Sequence, residues 1–462
     1  MAAARRLHCG PMAESTSTQH LASGTGAWRL RLLRRVVPAE PHEARAMLWS
    51  ALLFMVVLAS YYVIRPVRET MGVQGGVDKL QWLFTANFMV MLALVPVFSG
   101  VVARWPRRAF MPWVFRVFGL CLLGFYAAMT WLPGWTQVIT ARVFYVWAAV
   151  FSLFVVSVFW EFMADVWRRE QGGRLFGFIA AGGSVGAVLG PTLTVWAAPR
   201  IGNPALLLVS AVGLELAVLC VRQIVRAAPT AAGTDYAAEN DAPIGGGIWA
   251  GFTLVLRSPK LLGICGYVLL LSLTGTFLYF EQQHIVKAAI SEPEAQTQLF
   301  ARIDLAVNAV TIALQVLAFG RLLPRLGLGV MLMALPLVTL AGLLGLASAP
   351  LLAVVVGVQV CRRAADYALA KPAREVLFTQ VPREAKYKAK NFIDTVAYRG
   401  GDAASAWVFS GLTGLGLGLS ALALVAAPVA GLWAVFGLLL GRSSGAAATS
   451  ERPASQAPSP RP

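Results

Sequence analysis

The sequence predicts an all-α membrane protein of twelve transmembrane helices arranged as two six-helix bundles, and three observations predict it. Of 462 residues, 58% are hydrophobic and 13% charged, about half the charged share of an ordinary soluble domain, and the mean hydropathy is +0.67. About twelve apolar runs approach the ~20 residues that cross a bilayer. One long polar connector, "RAAPTAAGTDYAAENDAPIGGG", separates the sixth run from the seventh.

The elements follow in order. Residues 1–46 are Arg-rich and of low complexity ("ESTSTQHLASGTG"), with no apolar core and cleavage site of a signal peptide, and read as a disordered basic tail. Residues 47–222 hold the first bundle, with runs centred near Met55, Met91, Leu122, Phe154, Gly186 and Gly213. Residues 223–258 form the central loop. Residues 259–440 hold the second bundle, centred near Leu270, Ile312, Leu337, Val360, Trp407 and Val429, and 441–462 read as a disordered tail. Within the second half, the stretch from Glu281 to Arg302 reads as one further long polar connector.

Charge placement sets the orientation. The net charge of +17 suggests nucleic acid at first sight, but the bases sit in short loops between apolar runs. "RWPRR" (Arg104 to Arg108), "RREQGGR" (Arg168 to Arg174), "RLLPR" (Arg321 to Arg325) and "REAKYKAK" (Arg383 to Lys390) alternate with loops poor in Lys and Arg. The positive-inside rule then places both termini and the central loop in the cytoplasm of a bacterial inner membrane. The expected partners are the lipid bilayer and a small anionic solute, with no nucleic acid, and the expected state is a monomer.

Catalytic and cofactor chemistry is not written into the chain. Four of the five cysteines, Cys121, Cys220, Cys265 and Cys361, fall inside apolar runs, where cysteine acts as a small hydrophobe. There is no CxxC pair, HExxH or Walker P-loop. No metal, no cofactor and no enzymatic activity are expected.

Charges inside the spans are the informative exceptions, since each costs about 2.5–3.5 kcal/mol at mid-bilayer on insertion scales. "YYVIRPVRETMG" places Arg65, Arg68 and Glu69 on one face of the first helix around Pro66. "ALAKPAREVLF" repeats the arrangement on the tenth with Lys371, Pro372, Arg374 and Glu375. Each copy carries two bases and one acid, a positive excess suited to an anion, and guanidinium matches carboxylate or phosphate. Arg65, Arg68, Lys371 and Arg374 are therefore the candidate substrate-binding residues, and each proline is expected to bend or break its helix. The remaining intramembrane charges read as gate or ion-pair residues: Glu69, Glu161, Asp165, Arg362, Asp366, Glu375, Asp394, Arg399 and Asp402. Arg116, Glu215, Arg302 and Asp304 add to them, and Asp304 reads as structural. Intrahelical neutralisation, Arg65 with Glu69 and Lys371 with Glu375, is the competing account of the two motifs. The aromatic run "FYVWAAVFSLFVVSVFW" on the fourth helix serves either packing, the commoner use of such stripes, or stacking of a base.

The six-plus-six layout with a central cytoplasmic loop resembles the major facilitator transporters, whose two bundles rock about a midplane site. "SGVVARWPRRAF" is similar to their loop between helices 2 and 3, without its aspartate. "GFIAAGGSVGAVLGP" places Gly177, Gly186, Gly190 and Pro191 as in their antiporter motif, and such glycines serve close packing or a gating hinge. More narrowly, residues 37–440 resemble the bacterial and plastid ATP:ADP antiporter branch. The resemblance is carried by "YYVIRPVRETMGV", "FYVWAAVFSLFVVSVFWEFMADV" and "AKPAREVLFTQVPREAKYKAKNFIDTVAYRGGD". It implies exchange of phosphorylated nucleotides, with Arg68 and Arg374 standing where the family has lysines. Ala149 stands where the family has an acidic residue, which leaves another phosphorylated or carboxylated anion as the alternative to ATP and ADP, with a nucleotide-like anion the first expectation. The alternatives to anion exchange are a proton-coupled facilitator in which Asp394 or Asp402 titrates, and a non-transporting scaffold or sensor.

Overall fold

The computed structural model describes residues 40–104, 107–227, 248–316, 320–379, 381 and 388–450. The first 39 residues, connector residues 228–247, most of the basic loop before residue 388 and residues 451–462 lie outside these, so expectations on them do too.

The described chain is helical from end to end. The helices are α1 (Pro41–Gln74), α2 (Leu80–Arg104), α3 (Arg107–Trp131) and α4 (Gln137–Val166). The segment Arg169–Ala227 contains two more, α5 and α6, on either side of Gly202. A short helix, α7 (Ile248–Arg257), precedes α8 (Pro259–Ala289), α9 (Pro293–Leu314) and α10 (Gly320–Ser348). The helix α11 joins Leu352–Ala365, a π turn at Asp366–Ala370, and Lys371–Thr379. The helix α12 covers 388–414 with a π turn at Phe392–Ala397, and α13 is Leu419–Ser450. Eight described stretches are long and apolar enough to cross a bilayer, and one of them is the doubled α5–α6 segment. With α2, α11 and α12 the arrangement is consistent with twelve passes.

Gly202 adopts φ 80° and ψ 164°, a backbone closed to residues with a Cβ, and it reverses the chain. Side-chain register proves the reversal. Gly182, Gly186 and Gly190 of α5 press in turn against Ala51, Met55 and Ala59 of α1, so these two helices run parallel. Beyond the turn, Gly213 of α6 returns to Ser60, the level that Gly190 had reached. The glycines on α5 thus act in packing, and a Cβ at Gly186 would overlap the Met55 carbonyl. Gly177, the first of that motif, faces open space.

Each half has its own apolar core. In the first, Phe54 of α1 stacks on Phe159 of α4, centroids 4.1 Å apart and planes 7° from parallel, within a cluster that takes in α3, α5 and α6. The fourth-helix aromatic run is mostly this core: its Phe144, Phe151 and Phe159 are buried there, as is Phe162 just beyond it. In the second half, Tyr267 and Trp433 anchor the packing of α8, α10 and α13. A further cluster spans the two halves, joining Val73, Val77, Leu80, Leu83 and Tyr145 to Phe277, Phe280 and Phe409.

Three local expectations differ from the structure. The stretch from Glu281 to Arg302 is no connector, because α8 continues to Ala289 and α9 starts at Pro293. Five of its polar residues, Glu281, Gln282, Gln283, Gln296 and Thr297, are buried between helices rather than solvated. Pro66 does not break α1, which passes it unbroken to Gln74, whereas Pro372 directly follows the π turn of α11, where the ladder is already widened. Helix also extends into both presumed tails: α1 starts at Pro41, where Glu43 accepts from the Glu40 N–H at 3.0 Å, and α13 reaches Ser450. Polar sequence at a helix end lowers hydropathy without forbidding helix.

Candidate functional site

Arg65 and Arg68 lie two turns before the end of α1, at the level where the halves meet. Arg65 reaches across to α9 and bonds Oδ1 of Asp304, and Nη2 of Arg363 on α11 donates to the same oxygen at 2.7 Å. Asp304 is only 2% exposed, and its Oδ2 is buried without a hydrogen bond. Three helices from two halves therefore converge on one carboxylate.

Arg68 takes a different environment. Its guanidinium carbon lies 4.1 Å from the centroid of the Tyr145 ring on α4, and its Nε donates to the Tyr145 carbonyl at 3.3 Å. Its Nη1 donates to Glu69 Oε1 at 2.9 Å, while Gln283 of α8 donates to Glu69 Oε2 at 3.2 Å. Tyr145 in turn donates its hydroxyl to Tyr279 of α8 at 3.0 Å. Further bonds cross the same boundary: Thr70 with Thr297 at 2.7 Å, Tyr62 to Asn308 at 3.3 Å, and Trp407 to Thr85 at 3.0 Å.

Glu69 thus pairs with its neighbour Arg68 and not with Arg65, the partner that helical spacing offers. The physical reason is the buried carboxylate of Asp304, which takes the longer reach of Arg65 across the interface. In this region Arg65, Arg68 and Arg363 face Glu69 and Asp304, leaving one positive charge over.

The second motif forms a separate cluster. Arg374 Nη2 stands 4.0 Å from Asp366 Oδ1, and its buried Nε has no hydrogen-bond partner. Glu375 turns to Lys390 on α12, at 2.6 and 2.8 Å, and not to Lys371, which is exposed. Asp394 lies in the field of Lys390, Arg374, Glu375 and Lys371. Arg362 rests against α8, where a Cβ at Gly275 would stand 2.5 Å from its Nη2. Asp402 is held by Ser272 at 2.7 Å and Thr276 at 3.3 Å, with Arg399 3.8 Å away. Glu161 and Asp165 sit at the end of α4. Arg116 and Glu215 pair across α3 and α6 at 3.4 Å, both partly exposed.

The base of α11 that joins α1 is therefore Arg363, two turns before Lys371 and Arg374. Sequence reasoning passed over it, along with Tyr145, Tyr279, Gln283 and Glu281. The available signal was the doublet Arg362–Arg363 inside an apolar run: adjacent residues point about 100° apart, so the two serve different neighbours.

The family described as Major Facilitator Superfamily matches residues 44–362. No curated protein matches the chain. Among solved structures, the chain is similar to a bacterial homolog of the human lysosomal transporter Spinster, in an inward-facing and unoccupied conformation. The identity there is 15% over 89% of this chain and 98% of that one, with a TM-score of 0.54. It is similar to the nucleoside transporter NupG, at 12% identity over 88% and 99% and a TM-score of 0.54. It is also similar to a POT family transporter in complex with 5-aminolevulinic acid, at 9% identity over 86% and 96% and a TM-score of 0.59. At these identities the likeness is one of fold.

Proposed function

The chain belongs to the major facilitator superfamily, and we propose that it is a secondary transporter exchanging an organic anion, a nucleotide or other phosphorylated metabolite, by alternating access. The membrane is a bacterial inner membrane with both termini cytoplasmic. The observation that carries the anion reading is the sharing of one buried Asp304 oxygen by Arg65 and Arg363, beside an Arg68 stacked on Tyr145. Two guanidiniums on one carboxylate are under-neutralised, and an incoming phosphate or carboxylate competes for the same donors. Arg65, Arg68, Lys371 and Arg374 hold the anion in this reading, with Arg363 added to them, and the Glu69 and Asp304 carboxylates occupy the bases between cycles.

The nucleotide assignment is supported by the likeness of the α1, α4 and α11–α12 stretches to the ATP:ADP antiporter branch, and by the aromatic face of Tyr145 beside Arg68. Exchange across liposomes preloaded with ADP, against labelled ATP, ADP and phosphate, tests it. Uptake that requires internal counter-substrate is expected; no exchange of any of the three removes the phosphorylated-anion assignment.

A further inference from the structure

The two arginine motifs leave one buried acid unused. Glu281, in the body of α8, is 0% exposed, and among the described residues neither carboxylate oxygen has a hydrogen-bond partner. Three polar neighbours in sequence are engaged elsewhere. Tyr279 accepts from Tyr145, Gln283 donates to Glu69, and His284 stands 3.8 Å from Asp78 in the turn after α1.

The charges on the surrounding helices lie against other groups. On α1, Arg68 holds Glu69, and on α9 Asp304 is taken by Arg65 and Arg363. On α11, Arg362 rests against Gly275, and the uncharged Gln359 donates to the Leu278 carbonyl. On α12, Asp402 is bound by Ser272 and Thr276 and faced by Arg399. The membrane stretch of α13 from residue 419 to 440 has no titratable residue. None of these groups bonds or pairs with Glu281 among the described residues.

An ionised carboxylate in such a place is far costlier than the neutral acid, because nothing replaces its lost hydration. Other buried acids of this region solve the problem with a cation or with donors; Glu281 does neither. A proton is the remaining counter-charge. Yet glutamine or an apolar residue would fill the position without an ionisable group, and intramembrane acids commonly mark proton paths.

We propose that Glu281 is a proton-binding site: it holds one proton while the halves are closed around α8 and releases it to water when that face opens. The O–H bond forms with a proton taken from water on one side and breaks to water on the side then open. This rests on the alternating-access reading, and it makes anion movement pH-dependent through α8 rather than through Asp394 or Asp402.

Infrared spectroscopy of the full-length protein in lipid at neutral pH tests the site without any substrate. A carbonyl band of a protonated carboxyl is expected, shifted by labelling glutamate with carbon-13 and lost in Glu281→Gln. Glu281→Asp should keep a displaced band, and the labelled wild type gives an answer even if both variants fold poorly. A band insensitive to glutamate labelling, or absent, overturns the proposal. In liposomes, uptake of labelled ADP or phosphate should change severalfold with external pH in wild type and lose that dependence in Glu281→Gln. An unaltered pH profile in the variant overturns the coupling. If wild-type liposomes move none of these anions, the anion assignment fails while the infrared result still decides the proton site.

Discussion

Arg363 of α11 and Arg65 of α1 donate to the same oxygen of one buried carboxylate, Asp304, although 298 residues of chain separate them. The arrangement ties the two halves by charge, and under the proposed anion transport Asp304 is the stand-in for the anion those bases would bind. Replacing it with asparagine leaves two partly buried guanidiniums facing a neutral amide. Removing one partner of a buried pair costs about 3–5 kcal/mol. Asp304→Asn should therefore lower thermal stability in detergent, and added phosphate or ADP should recover part of the loss. An unchanged melting temperature would show that Asp304 is not holding the halves.

The arginine motifs predict transport defects without misfolding. Arg68→Ala and Arg374→Ala should abolish uptake of the transported anion while surface expression stays normal. Arg68→Lys keeps the charge but loses the planar stack on Tyr145, a contact of about 0.5–2 kcal/mol. Its apparent affinity should fall between about twofold and thirtyfold. Wild-type uptake in both alanine variants assigns the motifs to structure.

The Tyr145–Tyr279 bond gauges how firmly the halves are closed. Tyr279→Phe deletes it with little change of shape and should shift the equilibrium toward the separated state by about 0.5–1.5 kcal/mol. Distances between spin labels on α4 and α8 report that shift. No population change would mean that the apolar cluster around Phe277 and Phe409 carries the closure alone.

Thr70 and Thr297 touch through their hydroxyl oxygens at 2.7 Å, one on each half. Cysteines at both positions, in a background with the native cysteines replaced, should cross-link on oxidation and stop transport, and reduction should restore it. Transport that survives full cross-linking would exclude separation of the halves at this level.

At Gly186 the α5 backbone passes close against the Met55 carbonyl of α1. Gly186→Ala places a methyl against the Met55 carbonyl, which cannot yield without moving the helix, and should destabilise by about 1–3 kcal/mol. Gly177→Ala, facing open space, is the control and should cost less than about 1 kcal/mol. Size-exclusion profiles after graded heating separate the two.

Much of this was legible in the residues because bilayer thickness and hydropathy act on single helices. The apolar runs mark the spans, the long polar connector divides them six and six, and the echo of "RPVRE" in "KPARE" marks two helices whose charges need explaining. Where the reading went astray, the cause was burial. The polar stretch beginning at Glu281 resembles a solvated loop in composition, yet its glutamines are buried, Gln283 donating to Glu69 across helices and Gln296 to the nearby Ile290 carbonyl.

By itself, then, the sequence determined the all-helical membrane class and the identity of most intramembrane charges, since each follows from the cost of placing a side chain in lipid. Only the tertiary structure decided the partners. Helical spacing offered Glu69 to Arg65, but pairing depends on which helices come within reach, and the packing of α1, α9 and α11 gave Arg65 to Asp304, brought in Arg363, and left Glu281 with no partner at all.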